Sequence, residues 1–144
     1  MRQSVKEIIL ENDLAVLATS FEDKPHCSLM AYLPDPDCRI LRLLTLEKSR
    51  KYFNISRNPH VSLLIDTRNR KIPREEFKAL TISGICVPAP LKEQKSLKQL
   101  IIQKHAQLKG LAERKDSTVL EVSVESLLLL EGAEKARFFD LSGS

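Results

Sequence analysis

Apolar residues recur along this chain with two periods, and the switches between them mark the elements. Val5, Ile8 and Ile9 sit at helical spacing. With Ser4 and Glu7 in capping-box positions, they predict a helix over residues 4–11. Strand-like runs follow in quick succession at 14–20, 26–33 and 39–45, separated by the turn formers Glu22 to Pro25 and Pro34 to Asp37. A short helix opens at Ser49 and stops at Asn58 and Pro59. Val61, Leu63 and Ile65 then alternate in a strand over 60–66. Residues 67–76 read as a polar, basic loop, and 77–87 as a long strand in which Gly84 marks a bulge or bend. Leu97, Leu100, Ile101 and Leu108 place a helix over 91–109 with Gly110 as its C-cap. Residues 118–124, with Leu120, Val122 and Val124 inward, form a further strand, and 127–130 and 136–139 supply the edge.

The result is six or seven short strands and about three helices, mainly β with α, in one domain over residues 1–144. Closure into a small barrel removes the edges of such strands. No repeat, low-complexity segment or linker interrupts the chain, and no apolar run approaches the ~18 residues of a membrane span. The first residues carry charge without a secretory apolar core, and three cysteines (27, 38 and 86) form no Cys-x-x-Cys pair. A reducing cytoplasm is the expected compartment.

The segment from Thr45 to Val61 carries the most chemistry. A helix start leaves N–H groups unpaired and bears partial positive charge, so it attracts anions. Ser49 is a good N-cap, and its hydroxyl is equally able to meet a phosphate oxygen. Arg50 and Lys51 place two cations in the same first turn, which costs about 0.3–1 kcal/mol per charge unless an anion sits there. The plain reading is a solvated basic helix end; the functional one is a phosphate site.

Other chemistry is sparse. His26 and Cys27 are neighbours on a predicted strand, so their side chains point to opposite faces and form no nucleophile–base pair. The three histidines have no metal-ligand spacing, and four glycines build no phosphate loop. His105 reads as a core-edge residue, and Asp35 and Asp37 as turn formers. A net charge of +4 raises nucleic acid as a partner, with basic residues from Arg68 to Arg74 and along Lys92 to Lys109. Only 5% of residues are aromatic and none is Trp, which leaves little on which to stack bases.

The order of elements, with Thr45, Ser49, Arg50 and Lys51 and then Asn58, Pro59 and Val61, resembles the pyridoxamine 5'-phosphate oxidase-like family of FMN-binding split barrels over nearly the whole chain. The resemblance implies a six-stranded antiparallel split barrel, with FMN in a cleft at a homodimer interface. It assigns Ser49, Arg50 and Lys51 to the FMN phosphate and Leu44 with Thr45 to the ribityl side. Ser28, Leu29 and Met30 would run along the isoalloxazine edge. It also implies a flavin-dependent oxidoreductase or reductase of a small substrate. The alternatives are a flavin-binding or flavin-free module without turnover, a barrel that uses a deazaflavin, and a basic nucleic-acid- or partner-binding barrel. Three departures argue against vitamin-B6 oxidation and haem. The chain has no tryptophan, Ala79 replaces a flavin-contacting glutamine, and no histidine follows His105. No dedicated catalytic residue and no metal site is expected.

Overall fold

Helix α1 (Gln3–Glu11) leads into strand β1 (Leu14–Phe21) in the computed structural model, which describes residues 1–68 and 71–142. Asn69 and Arg70 of the basic loop, and Gly143 and Ser144, lie outside the described residues. Val5, Ile8 and Ile9 are the buried stripe of α1, as the spacing requires. The capping box does not form: Arg2 is the N-cap position and Ser4 lies inside the helix. β1 turns into β2 (Lys24–Ala31) through Glu22 and Asp23, whose φ values of 52° and 62° give the left-handed pair that a two-residue hairpin needs.

Where one strand over 26–33 is expected, β2 stops at Ala31. Tyr32 turns into the core, its hydroxyl donating to the Ile9 carbonyl at 2.6 Å, and β3 (Leu33–Pro34) is a two-residue remnant. Asp35 Oδ1 then accepts from the N–H groups of Arg39 and Ile40, which sets the turn into β4 (Ile40–Leu46). Helix α2 (Arg50–Arg57) and β5 (His60–Asp66) follow as the pattern predicts.

A 3₁₀ turn at Arg74–Glu76 interrupts the basic loop before β6 (Lys78–Pro88). Opposite its middle, Ser83 pairs with Ser126 and Gly84 with Val124, so the extra residue of the bulge is Glu125 on the partner strand. A Cβ on Gly84 would stand 2.1 Å from the Ser123 carbonyl oxygen, which is why glycine occupies this crossing. Helix α3 (Leu91–Lys104) ends earlier than its pattern suggests. His105, buried with Nε2 2.8 Å from the Tyr32 carbonyl, leaves helical geometry. A 3₁₀ turn and the short α4 (Lys109–Ala112) follow, so Gly110 lies within a helix and caps none.

The expected strand over 118–124 and the expected edge segment 127–130 are one strand, β7 (Ser117–Glu131), and β8 (Lys135–Asp140) pairs with its far half. Every ladder is antiparallel, in the order β2-β1-β5-β6-β7-β4-β3. The sheet wraps so that β2 and β4 approach across a seam without pairing: a split barrel, with eight strands among the described residues where six or seven were expected. Alternate residues such as Leu17, Leu41, Leu63, Ile82 and Leu120 fill its interior. β4 is buried on both faces because α3 and α4 cover Leu44 and Val119 from outside.

Candidate functional site

The seam holds a cavity of about 250 Å³. β2 supplies Leu29, Met30 and Ala31, β4 supplies Leu44, Thr45 and Leu46, and the start of α2 adds Ser49 and Lys51. Leu108 and Leu111 close the far wall. Six of the eight residues singled out from the sequence therefore meet in one place. They do so because β2 and β4 face each other across the split and α2 starts three residues after β4.

Ser49 caps α2, its Oγ accepting from the Tyr52 N–H at 3.2 Å and lying 3.0 Å from Thr45 Oγ1. Thr45 is buried, so this pair fixes the helix start against the barrel wall. The first turn has no acidic residue, and among the described residues the Lys51 ammonium has no ion-pair partner. The positive end of α2 thus faces the cleft with an unpaired cation beside it, the setting that favours an anion.

Ser28 lies on the same face of β2 as Met30, and its buried Oγ has no hydrogen-bond partner. Such a group costs about 1–3 kcal/mol while it stays unpaired. Arg50 goes elsewhere. It lines a second cavity of about 350 Å³ on the other side of α2, with His26, Phe21 and Phe53, and its guanidinium carbon lies 5.4 Å from the Phe53 ring centre.

Ala31, Leu46, Leu108 and Leu111 were not singled out from the sequence. The pattern places Leu108 on the inner face of one helix over 91–109, and Leu111, beyond that helix, carries no signal. A larger hollow of about 430 Å³ lies on the outer face of β5, β6 and β7, around Leu64, Phe77 and Ala79. It shares no residue with the seam. At about 250 Å³ the seam cavity is below the ~300–1,000 Å³ usual for ligand pockets. Its rim residue Leu29 is 67% exposed.

In the core, burial pushes the Cys86 thiol up to about 12 and raises the Cys38 thiol and the Tyr32 hydroxyl, while on the surface the Ser142 hydroxyl and N–H lower Asp140. Among the described residues, no group of three or more His, Cys, Asp or Glu side chains is placed to hold a metal.

The family model described as pyridoxamine 5'-phosphate oxidase matches residues 1–131, and the chain belongs to that family. It is 32% identical to a pyridoxamine 5'-phosphate oxidase homologue of Schizosaccharomyces pombe, over 85% of this chain and 80% of that protein. Among solved structures it superimposes on a heme binding protein from Mycobacterium smegmatis with a TM-score of 0.83 at 16% identity, over 96% of this chain and 57% of that one. General Stress Protein 26 from Bacillus anthracis gives 0.75 at 20% identity, over 96% and 97%. At those identities the likeness is one of fold.

Proposed function

We propose that the chain binds FMN in the seam as one domain of a cytoplasmic homodimer and acts as a flavin-dependent oxidoreductase on a small substrate. The observation that carries this reading is the grouping of Ser49 and Lys51, at the start of α2, with Leu29, Met30, Leu44 and Thr45 along one cleft. Lys51 and the α2 start would hold the phosphate, Thr45 and Leu44 the ribityl chain, and the β2 edge with Ser28, Leu29 and Met30 the ring. The apolar walls Leu108 and Leu111 would keep water from the flavin. When bound, flavin supplies the electron chemistry.

The outer face supports a shared site. Reading the ladders across the sheet, Leu29, Val16, Leu64, Thr81, Leu128 and Phe138 form one continuous row over six strands. Leu29 and Phe138 at its ends are 67% and 65% exposed. A second copy laid on this row would bury it and close the half-open cleft at Leu29.

Pyridoxamine phosphate is not the substrate proposed. Arg137, the arginine of β8, is engaged with Glu131 at 3.5 Å, and Ala79 has no side chain to contact a ring. Haem is not the ligand proposed: His105 is buried, with its Nε2 2.8 Å from the Tyr32 carbonyl.

The cleft contains no side chain placed as acid, base or nucleophile other than Lys51, which favours a second reading, a flavin holder without turnover. Titrating flavin-stripped protein with FMN and riboflavin tests the site. Bleaching of the bound flavin by NAD(P)H separates enzyme from holder. Equal affinity for FMN and riboflavin would contradict the phosphate assignment.

A further inference from the structure

The hollow on the outer face of β5, β6 and β7 has a volume of about 430 Å³, within the range usual for ligand pockets. The ladders explain why the sheet is concave there. Asp66, Ala79 and Leu130 pair in one row, next to the row of Leu64 and Thr81 on the same face. The side chain of Ala79 ends at its Cβ, so it leaves a gap on β6 between Leu64 of β5 and Leu130 of β7. Phe77 and the β7–β8 turn at Gly132 and Ala133 complete the wall. The Gly132 N–H donates to the Phe77 carbonyl at 3.0 Å, which holds that turn against the entry to β6. The floor is apolar yet open to water: Leu64 is 41% exposed and Leu130 38%.

The lining is also basic. Arg68, Arg74 and Lys78 contribute to it against one carboxylate, Asp66. Asp66 is engaged, its two oxygens accepting from the backbone N–H and from Nε of Arg68. Arg74, in the 3₁₀ turn, has no ion-pair or hydrogen-bond partner among the described residues. An apolar floor beside an unpaired guanidinium suits a ligand with an apolar body and one anionic head. A carboxylate takes the fork of an arginine through two N–H···O bonds, and the body removes Leu64, Ala79 and Leu130 from water. A neutral apolar molecule leaves the guanidinium unused, and a bare anion leaves the floor wet. A second copy laid on the row from Leu29 to Phe138 would stand at the Leu64 edge of the hollow and narrow its mouth.

We propose that this hollow binds a small apolar carboxylic acid, with Arg74 as the residue that takes the carboxylate. The proposal does not depend on what fills the seam. The test is calorimetric titration of the full-length protein, as purified, with 4-phenylbutyrate and its neutral counterpart 4-phenylbutanol, repeated for Arg74→Gln, Ala79→Leu and Lys92→Gln. The acid should bind the unmutated protein at least about tenfold more tightly than the alcohol. Arg74→Gln should bring the two ligands close to equal. Ala79→Leu, which fills the gap in the floor, should weaken both by about tenfold or more. Lys92→Gln, a change of charge on α3, should alter neither. Thermal unfolding shows that each variant is folded, and the Arg74→Gln comparison decides the matter even if Ala79→Leu is not. Equal affinity for acid and alcohol, an Arg74→Gln protein that keeps the preference, or an equal loss in Lys92→Gln overturns the inference. Absence of binding by the acid at millimolar concentration overturns it too, and each of these results leaves the seam reading standing.

Discussion

Thr45 Oγ1 and Ser49 Oγ stand 3.0 Å apart, and the same Ser49 oxygen accepts the Tyr52 N–H that caps α2. One hydroxyl thus joins the end of β4, the start of α2 and the rim of the cleft. Ser49→Ala should lower stability by about 1 kcal/mol through the lost cap. It should also weaken FMN binding, because the helix start loses its anchor to Thr45. Urea unfolding with and without FMN separates the two effects.

Lys51 is the cation the structure aims into the seam. Lys51→Ala should cost FMN about 1.5–3 kcal/mol, the range of a charge-assisted hydrogen bond, and cost riboflavin far less. Calorimetric titration of both ligands gives the comparison. Matching losses would mean that Lys51 acts through folding.

Gly84 has no room for a side chain, since a Cβ there would lie 2.1 Å from the Ser123 carbonyl. Gly84→Ala should force the β6–β7 crossing apart and destabilise by about 1–3 kcal/mol or more. Gly110→Ala is the control: nothing lies within 4 Å of an added Cβ there, and the change should be neutral or stabilising. Thermal unfolding of the two variants decides it.

The cysteines should react in sequence. Cys27 is exposed, whereas Cys38 and Cys86 are buried with thiol pKa values raised by burial. At pH 8 a thiol reagent should modify one residue quickly and the other two only on unfolding. Because Cys86 stays protonated to about 12 when folded, alkali favours the unfolded chain, in which that thiol ionises near 8.5. Its contribution to stability is intact below that value and is lost as pH rises from there towards 12. Unfolding midpoints between pH 8 and 11 should fall less in Cys86→Ala than in the unmutated protein, whatever the two proteins' stabilities at pH 7.

The row from Leu29 to Phe138 should be the dimer face. Leu64→Asp places a charge at its middle and should turn a species of twice the chain mass into a monomer that binds FMN more weakly. Sedimentation at micromolar concentration measures the first effect and flavin titration the second. A monomeric unmutated protein that holds FMN as tightly would remove the shared site.

Much of this was legible in the sequence because local signals agreed. The 60–66 alternation, the Ser49 cap and the Asn58–Pro59 stop each have a short-range cause, and each stands where the pattern puts it. What the sequence hid was long-range. Tyr32 leaves its strand for a carbonyl on α1, 23 residues away, and His105 ends α3 for the carbonyl of Tyr32. The bulge lies on β7, although Gly84 announced it from β6. The motif Ser49, Arg50, Lys51 reads as one anion site, yet helical geometry sends Arg50 and Lys51 to different cavities. A spacing shows that two cations are close, and only the packed helix shows which way each one points.

The most direct measurement is the identity of what the protein carries. Full-length protein purified without added cofactor would be denatured, and the released small molecule identified by mass and absorbance. The account predicts a phosphate-bearing flavin near one per chain, retained by the unmutated protein and lost from Lys51→Ala. Protein that carries no flavin and takes up none from a micromolar excess of FMN or FAD would contradict it.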